Sequence, residues 1–160
     1  MGLSDNFGMA YAKSQIAAGN SLPTSGRVLF SVKDADKPKA VELAARMHAM
    51  GFKILATKKT CIELIKRNVP AEFALKMSEG RPHIVDLIIN GQIDLIVNTT
   101  VGNKQAILDS FSIRRTALER QVPYVTTIRG AAAVVKAIEA LRTRKVEVKP
   151  IQRYYHKGKK

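Results

Sequence analysis

Five short apolar runs, each followed by a segment with helix-forming character, constrain this chain more than any other feature. The runs are RVLFSV (27–32), FKILAT (52–57), EFALKM (72–77), IDLIV (93–97) and PYVTT (123–127), all of strand length. After the first run, Ala40, Leu43, Ala44 and Met47 recur at i, i+3, i+4, i+7 and stop at Gly51, with Asp34 and Asp36 as cap candidates. Residues 60–68 form the next predicted helix, and PHIVDLIIN (82–90) starts with proline at a helix's first turn and ends at Gly91. Residues 104–121 read as helical, and Val134, Ala137, Ile138 and Leu141 mark the inner face of a closing helix. Strands separated by helices cannot pair as hairpins. They pair in parallel through right-handed crossovers that lay helices over the sheet. The predicted fold is α/β, a five-stranded parallel Rossmann-like sheet with helices on both faces.

Ahead of this core, residues 3–18 read as a helix with Ser4 as N-cap, and GNSLPTSG (19–26) as a linker of turn formers. The chain thus divides into a helix and linker (1–26), the α/β domain (27–143) and a basic tail (144–160). Charge follows this division. Residues 141–160 hold eight Lys or Arg against Glu147 alone, which accounts for half of the net +14. Such a run reads as a solvated tail; the remainder, spread over the body, favours anionic ligands without choosing among them. A nucleic-acid module would interleave aromatics with its basic residues, and here Tyr154 and Tyr155 alone do so, so no nucleic-acid partner is expected. No apolar run approaches the roughly 20 residues that span a bilayer. The first residues lack the layout of a signal peptide, and the single Cys61 excludes an internal disulfide framework. The expectation is a soluble, cytoplasmic protein.

Parallel α/β sheets bind ligands at the carboxyl edge of their strands. Every polar cluster of note falls there: Ser31 to Lys37 after the first strand, Thr57-Lys58-Lys59-Thr60 after the second, Lys76 at the end of the third. Asn98-Thr99-Thr100 follow the fourth and Thr126-Thr127 the fifth. The ATKKT junction sets threonine hydroxyls and lysine ammonium groups beside the free amides of a helix start, which together make an anion pocket. The competing reading has Thr57 or Thr60 merely capping the helix and the lysines solvated; Lys76 and the Asn98 cluster tip the balance to the pocket.

Catalytic and metal chemistry find less support. His48 lies within a helix and His156 in the tail, while His83 has no histidine or cysteine at metal-ligand spacing. Cys61 has no base beside it and reads as a packing residue. Asp86 and Asp94 read as helix-face and strand-start residues. Neither G-x-x-x-x-G-K-[ST] nor G-x-G-x-x-G occurs, so ATP and dinucleotides are not expected ligands, and no cofactor is expected.

Taken in order, LFSVKDADK, GF-x-x-x-AT-x-x-T, K-x-x-EGRPHI-x-D-x-I-x-NG, VNTT and SIRRTAL resemble one family. They are similar to the C-terminal allosteric domain of the large subunit of carbamoyl phosphate synthase, which has the methylglyoxal synthase-like fold. The resemblance covers about residues 27–140, and FG-x-AYAKSQIAAG near the start resembles the stretch that joins this domain to the preceding one. It implies regulation rather than catalysis by this segment, as part of an ATP-dependent ligase with a glutaminase small subunit. UMP, and in some members IMP, would bind at positions matching Lys37, Thr57, Thr60, Lys76, Asn98, Thr99 and Thr100, with Ser31 and Asp109 as further members. Thr57, Thr60 and Lys76 would stand near the phosphate, and Asn98 to Thr100 on phosphate or ribose. Ornithine would bind at the interdomain face, where Tyr124 and Thr126 are the matching positions and Val125 offers no side-chain hydrogen bond. The alternative within the same fold is a methylglyoxal synthase-like lyase acting on a triose phosphate. It needs an aspartate in the loop that here reads Glu79-Gly80-Arg81-Pro82, and a guanidinium cannot act as a base near neutral pH.

Overall fold

The structure, a computed structural model, describes residues 1–99 and 104–155, apart from the side chains of 104, 105 and 155. Helix α1 (Phe7–Ala17) precedes strand β1 (Arg27–Val32), a 3-10 turn (Asp34–Asp36) and α2 (Lys37–Ala49). Then come β2 (Lys53–Ala56), α3 (Lys58–Lys66), β3 (Glu72–Phe73), α4 (Ile84–Ile89) and β4 (Leu95–Thr99). The chain continues through α5 (Lys104–Glu119), β5 (Tyr124–Val125), α6 (Ile128–Thr143) and a short α7 (Gln152–Tyr155). The five strands pair in parallel in the order β3-β2-β1-β4-β5.

Strand alternation fixes what each face buries. Val28, Phe30 and Val32 of β1 join Ile54, Ala56, Leu95 and Val97 against α2, α3 and α6. Leu29, Leu55 and Ile96 point the other way, onto Ile84 and Ile88 of α4 and Ile113 and Ala117 of α5. A one-residue slip would exchange the two sets, so burial on both faces holds the register. Register in turn sets Ser31 beside Asn98 and Val32 beside Thr99 at the carboxyl edge. At the opposite edge, Asp94 Oδ2 accepts the Arg27 N–H at 2.7 Å, which ties the starts of β1 and β4 together.

Helix α1 lies outside this layering, against α6, with Gly8, Met9 and Ala12 buried. A Cβ on Gly8 would collide with the Lys136 carbonyl, so glycine is what lets the two helices approach. The Lys136 ammonium sits 5.7 Å from the centre of the Phe7 ring. Arg46 of α2 makes a two-pronged ion pair with Glu139 of α6, at 2.9 and 2.6 Å. Beyond α6 the chain comes back, and the Tyr154 hydroxyl donates to the Leu3 carbonyl at 3.1 Å. The basic segment through residue 155 therefore lies against the start of the chain.

Several element ends differ from expectation. Asn6, not Ser4, caps α1, its Oδ1 accepting the Met9 N–H at 3.0 Å. Helix α3 begins two residues earlier than expected, at Lys58, and α4 two residues later than Pro82, at Ile84. The expected strands 72–77 and 123–127 each shrink to two residues because both lie at sheet edges, with one neighbour to hold them. Past Phe73 the ladder gives way to an isolated bridge between Leu75 and His83, so Lys76 stands in a turn rather than in a strand.

Candidate functional site

In this strand order the chain leaves β1 for β2 on one side, while β4 pairs on the other. The connections diverge there and open a crevice above the carboxyl ends of β1 and β4. A cavity of about 350 Å³ fills it. Ser31, Val32, Asn98 and Thr99 form its floor. The Lys33 N–H donates to both the carbonyl (3.0 Å) and the hydroxyl (3.2 Å) of Thr99, which fixes the strand ends against each other.

One wall is the start of α3. Thr57 is its N-cap by backbone geometry, with φ −67° and ψ 154°, but its side chain makes no capping bond. Its hydroxyl instead donates to Thr60 Oγ1 at 3.4 Å, and both residues are buried lining groups of the cavity. The amides of Lys58, Lys59 and Thr60 precede the first intrahelical acceptor, so they and the positive helix end face an anion-sized space. Lys33, Lys58, Lys59 and Lys76 also line the cavity. Among the described residues, no carboxylate lies within 4.0 Å of Lys58, Lys59 or Lys76.

The carboxylates nearby are otherwise engaged. Asp34 accepts from the Lys37 ammonium at 2.8 Å, and that bond and charge hold its carboxyl below the usual range. Glu79 Oε2 accepts the Lys76 N–H at 2.8 Å, and buried Asp109 lines the far side. The cavity therefore gathers Ser31, Thr57, Thr60, Lys76, Asn98, Thr99 and Asp109 of the expected residues. It does not gather Lys37, which stands behind Asp34, and Thr100 lies outside the described residues. Lys33, Lys58 and Lys59 were legible only as members of their clusters.

Asn98 carries the connection to a second space. Its Nδ2 donates to Ser110 Oγ of α5 at 3.0 Å and to the Tyr124 hydroxyl of β5 at 2.7 Å. Tyr124, Val125 and Thr126 line a separate cavity of about 770 Å³ between β5, α1, α5 and α6. The helix that starts there, α6, is closed: the Thr127 hydroxyl accepts the Gly130 N–H at 3.0 Å.

Other candidates are absorbed by structure. His83 is the N-cap of α4, its Nδ1 accepting the Asp86 N–H at 3.3 Å while Asp86 Oδ2 accepts the His83 N–H at 3.0 Å. Sequence reading missed this reciprocal cap, since histidine is not a usual capping residue. Cys61 is buried on the inner face of α3, and desolvation pushes its thiol up. Arg81, where the lyase alternative needs a carboxylate, is 79% exposed and 3.9 Å from Asp86. Among the described residues no group of three or more metal-binding side chains occurs, and no helix is long and apolar enough to cross a membrane.

A parallel sheet with a switch point lined by lysines and hydroxyls defines a class, and the sequence comparison agrees with it: residues 39–126 match the model of the MGS-like domain, and the chain belongs to that family. Its relatives are more particular. The chain is 50% identical to the carbamoyl phosphate synthase large chain of Myxococcus xanthus (strain DK1622) over 154 residues, covering 96% of this chain and 14% of that protein. It is 48% identical to the large chain of Mesorhizobium japonicum, covering 97% of this chain and 13% of the other. It is also 45% identical to the C-terminal section of the large chain of Methanopyrus kandleri, covering 99% and 29%. The chain thus spans a small part of the length of the full-length relatives it matches.

Proposed function

We propose that this chain is the regulatory domain of a carbamoyl phosphate synthase large chain and that it binds a nucleoside monophosphate effector, UMP or IMP, in the cavity at the carboxyl edge. One observation carries this reading: two buried threonine hydroxyls, the open amides of α3 and three lysines with no carboxylate within 4.0 Å among the described residues converge on one space of ligand size. The phosphate would sit at Thr57, Thr60 and Lys76, with Lys58 and Lys59 adding charge at the rim. Ornithine would enter the second cavity, against Tyr124 and Thr126, where the rest of the large chain would complete the site. Val125 leaves that side short of a polar partner.

Regulation then follows from differential affinity. A ligand that prefers one arrangement of this domain against its neighbours shifts the whole enzyme's activity, typically by a coupling of about 1–3 kcal/mol. The segment itself performs no chemistry; the ligase reaction and the contact with the glutaminase subunit belong to the complete cytoplasmic enzyme. A lyase reading would have to do without a carboxylate at Arg81, and Glu79 is engaged with the backbone of its own turn.

Isothermal titration of the purified chain with UMP, IMP and ornithine tests the proposal. Saturable binding of UMP or IMP, weakened about tenfold or more when charge-assisted contacts are removed by Lys76→Ala with Thr60→Ala, is the expected result. Nucleotide binding that survives in that variant would put the effector elsewhere.

A further inference from the structure

Asp34 lines the cavity just past the end of β1, and its carboxylate accepts from the Lys37 ammonium at 2.8 Å. The partners differ in exposure: the Asp34 side chain is 79% exposed and that of Lys37 only 16%. The acid thus stands toward the open cavity and the base behind it, one carboxylate away from the space around Lys58, Lys59 and Lys76. Local structure does not lock the pair. Asp34 opens a single 3-10 turn whose N-cap, Lys33, makes no side-chain capping bond. Lys37 is the first residue of α2, whose N-cap, Asp36, makes none either and is drawn to Lys33 at 3.8 Å. An exposed ion pair of this kind is worth little in water. A phosphate monoester presents about two charges to the same ammonium, and its bonds to charged donors are the stronger ones. The flexible stem of lysine lets the ammonium change partner while the backbone stays in place.

We propose that Asp34 is a latch on Lys37: the carboxylate holds the ammonium back, and a phosphate entering the cavity takes the carboxylate's place. The latch rests on the proposed binding of a nucleoside monophosphate and deepens it, because Lys37 becomes a conditional member of that site. Asp34 then sets how strong an anion must be to recruit it. A monovalent anion gains little by displacing a carboxylate, whereas a phosphate dianion gains a charge-assisted contact. Lys37 stands outside the cavity, by this account, because its ammonium is held on the far side of Asp34.

The test is a double-mutant cycle, with wild-type chain, Asp34→Asn, Lys37→Met and the double variant titrated with UMP and, separately, inorganic phosphate at fixed ionic strength. Asp34→Asn keeps the shape of the side chain and removes its charge. It should tighten both ligands by about twofold to fivefold, the worth of a surface ion pair that no longer has to be broken. Lys37→Met should weaken both by about tenfold. In the Lys37→Met background, Asp34→Asn should then bring no gain, because the latch has nothing to hold. A gain of the same size in that background would mean that Asp34 acts as a bare charge on Lys59 and its neighbours, and overturns the proposal. Unchanged affinity in Asp34→Asn, or undiminished affinity in Lys37→Met, overturns it while leaving the binding reading intact. A wild-type chain that binds neither UMP nor phosphate overturns both.

Discussion

Helices α3 and α6 start at the same edge of the same sheet, each after a strand and each with threonine at the N-cap, yet they begin differently. Thr127 closes α6 with its own hydroxyl, on the Gly130 amide. Thr57 gives its hydroxyl to Thr60 and leaves the first turn of α3 open. Around the open start stand Lys58, Lys59 and Lys76, with no carboxylate within 4.0 Å among the described residues. The closed start faces a cavity whose lining holds hydroxyls and Arg114 but no lysine. A capped helix end contributes stability, whereas an open one in a walled, cationic space is a ready anion site. On the proposed function, stability and binding would be separated between two helix starts that share the same cap residue.

The largest effect should come from stripping the open start. Lys76→Ala with Thr60→Ala should weaken UMP by about 2–3 kcal/mol, the range for hydrogen bonds to a charged group, seen by titration. The two caps should then respond in opposite ways. Thr127→Ala should cost about 1 kcal/mol of stability by denaturant unfolding and leave UMP affinity unchanged, because it removes a made cap. Thr57→Ala should do the reverse, lowering UMP affinity by about 1 kcal/mol with little loss of stability, since no capping bond is broken. If both variants lose stability equally, the contrast between the starts is gone.

His83→Ala supplies a reference on α4, where the cap is reciprocal, and should cost about 1 kcal/mol. The smallest effect concerns the thiol one residue after Thr60. Burial raises the Cys61 pKa, so the folded chain holds its proton above the pH at which the unfolded chain releases it. The resulting stability is fully present below the unfolded thiol's pKa of about 8.5 and declines as pH rises past it. Iodoacetamide should react slowly at pH 8 in the folded chain and quickly once it is unfolded.

Much of this was readable in the residues, for identifiable reasons. Period-two burial in RVLFSV and period-3.6 burial through Ala40, Leu43, Ala44 and Met47 are direct consequences of two-faced packing, and the sheet followed from them. Clusters at strand ends became a cavity because a parallel sheet brings all its carboxyl ends to one side. Edges were harder to read. The expected strands at 72–77 and 123–127 overran because sequence carries no mark of how many neighbours a strand has. Pairings distant in sequence were invisible altogether: Lys37 with Asp34 was within reach, but Asn98 with Tyr124, 26 residues apart, was not. Nor could the ATKKT stretch reveal that Thr57 leaves the helix uncapped.

The open start of α3 is the central claim, and amide chemical shifts test it most directly. In a ¹⁵N–¹H titration of the labelled chain with UMP, the amides of Lys58, Lys59 and Thr60 should move most. Those of Ile128, Arg129 and Gly130 at the capped start of α6 should stay in place. Shifts centred on Ile128 to Gly130, or none at Lys58 to Thr60 at saturating UMP, would contradict the account.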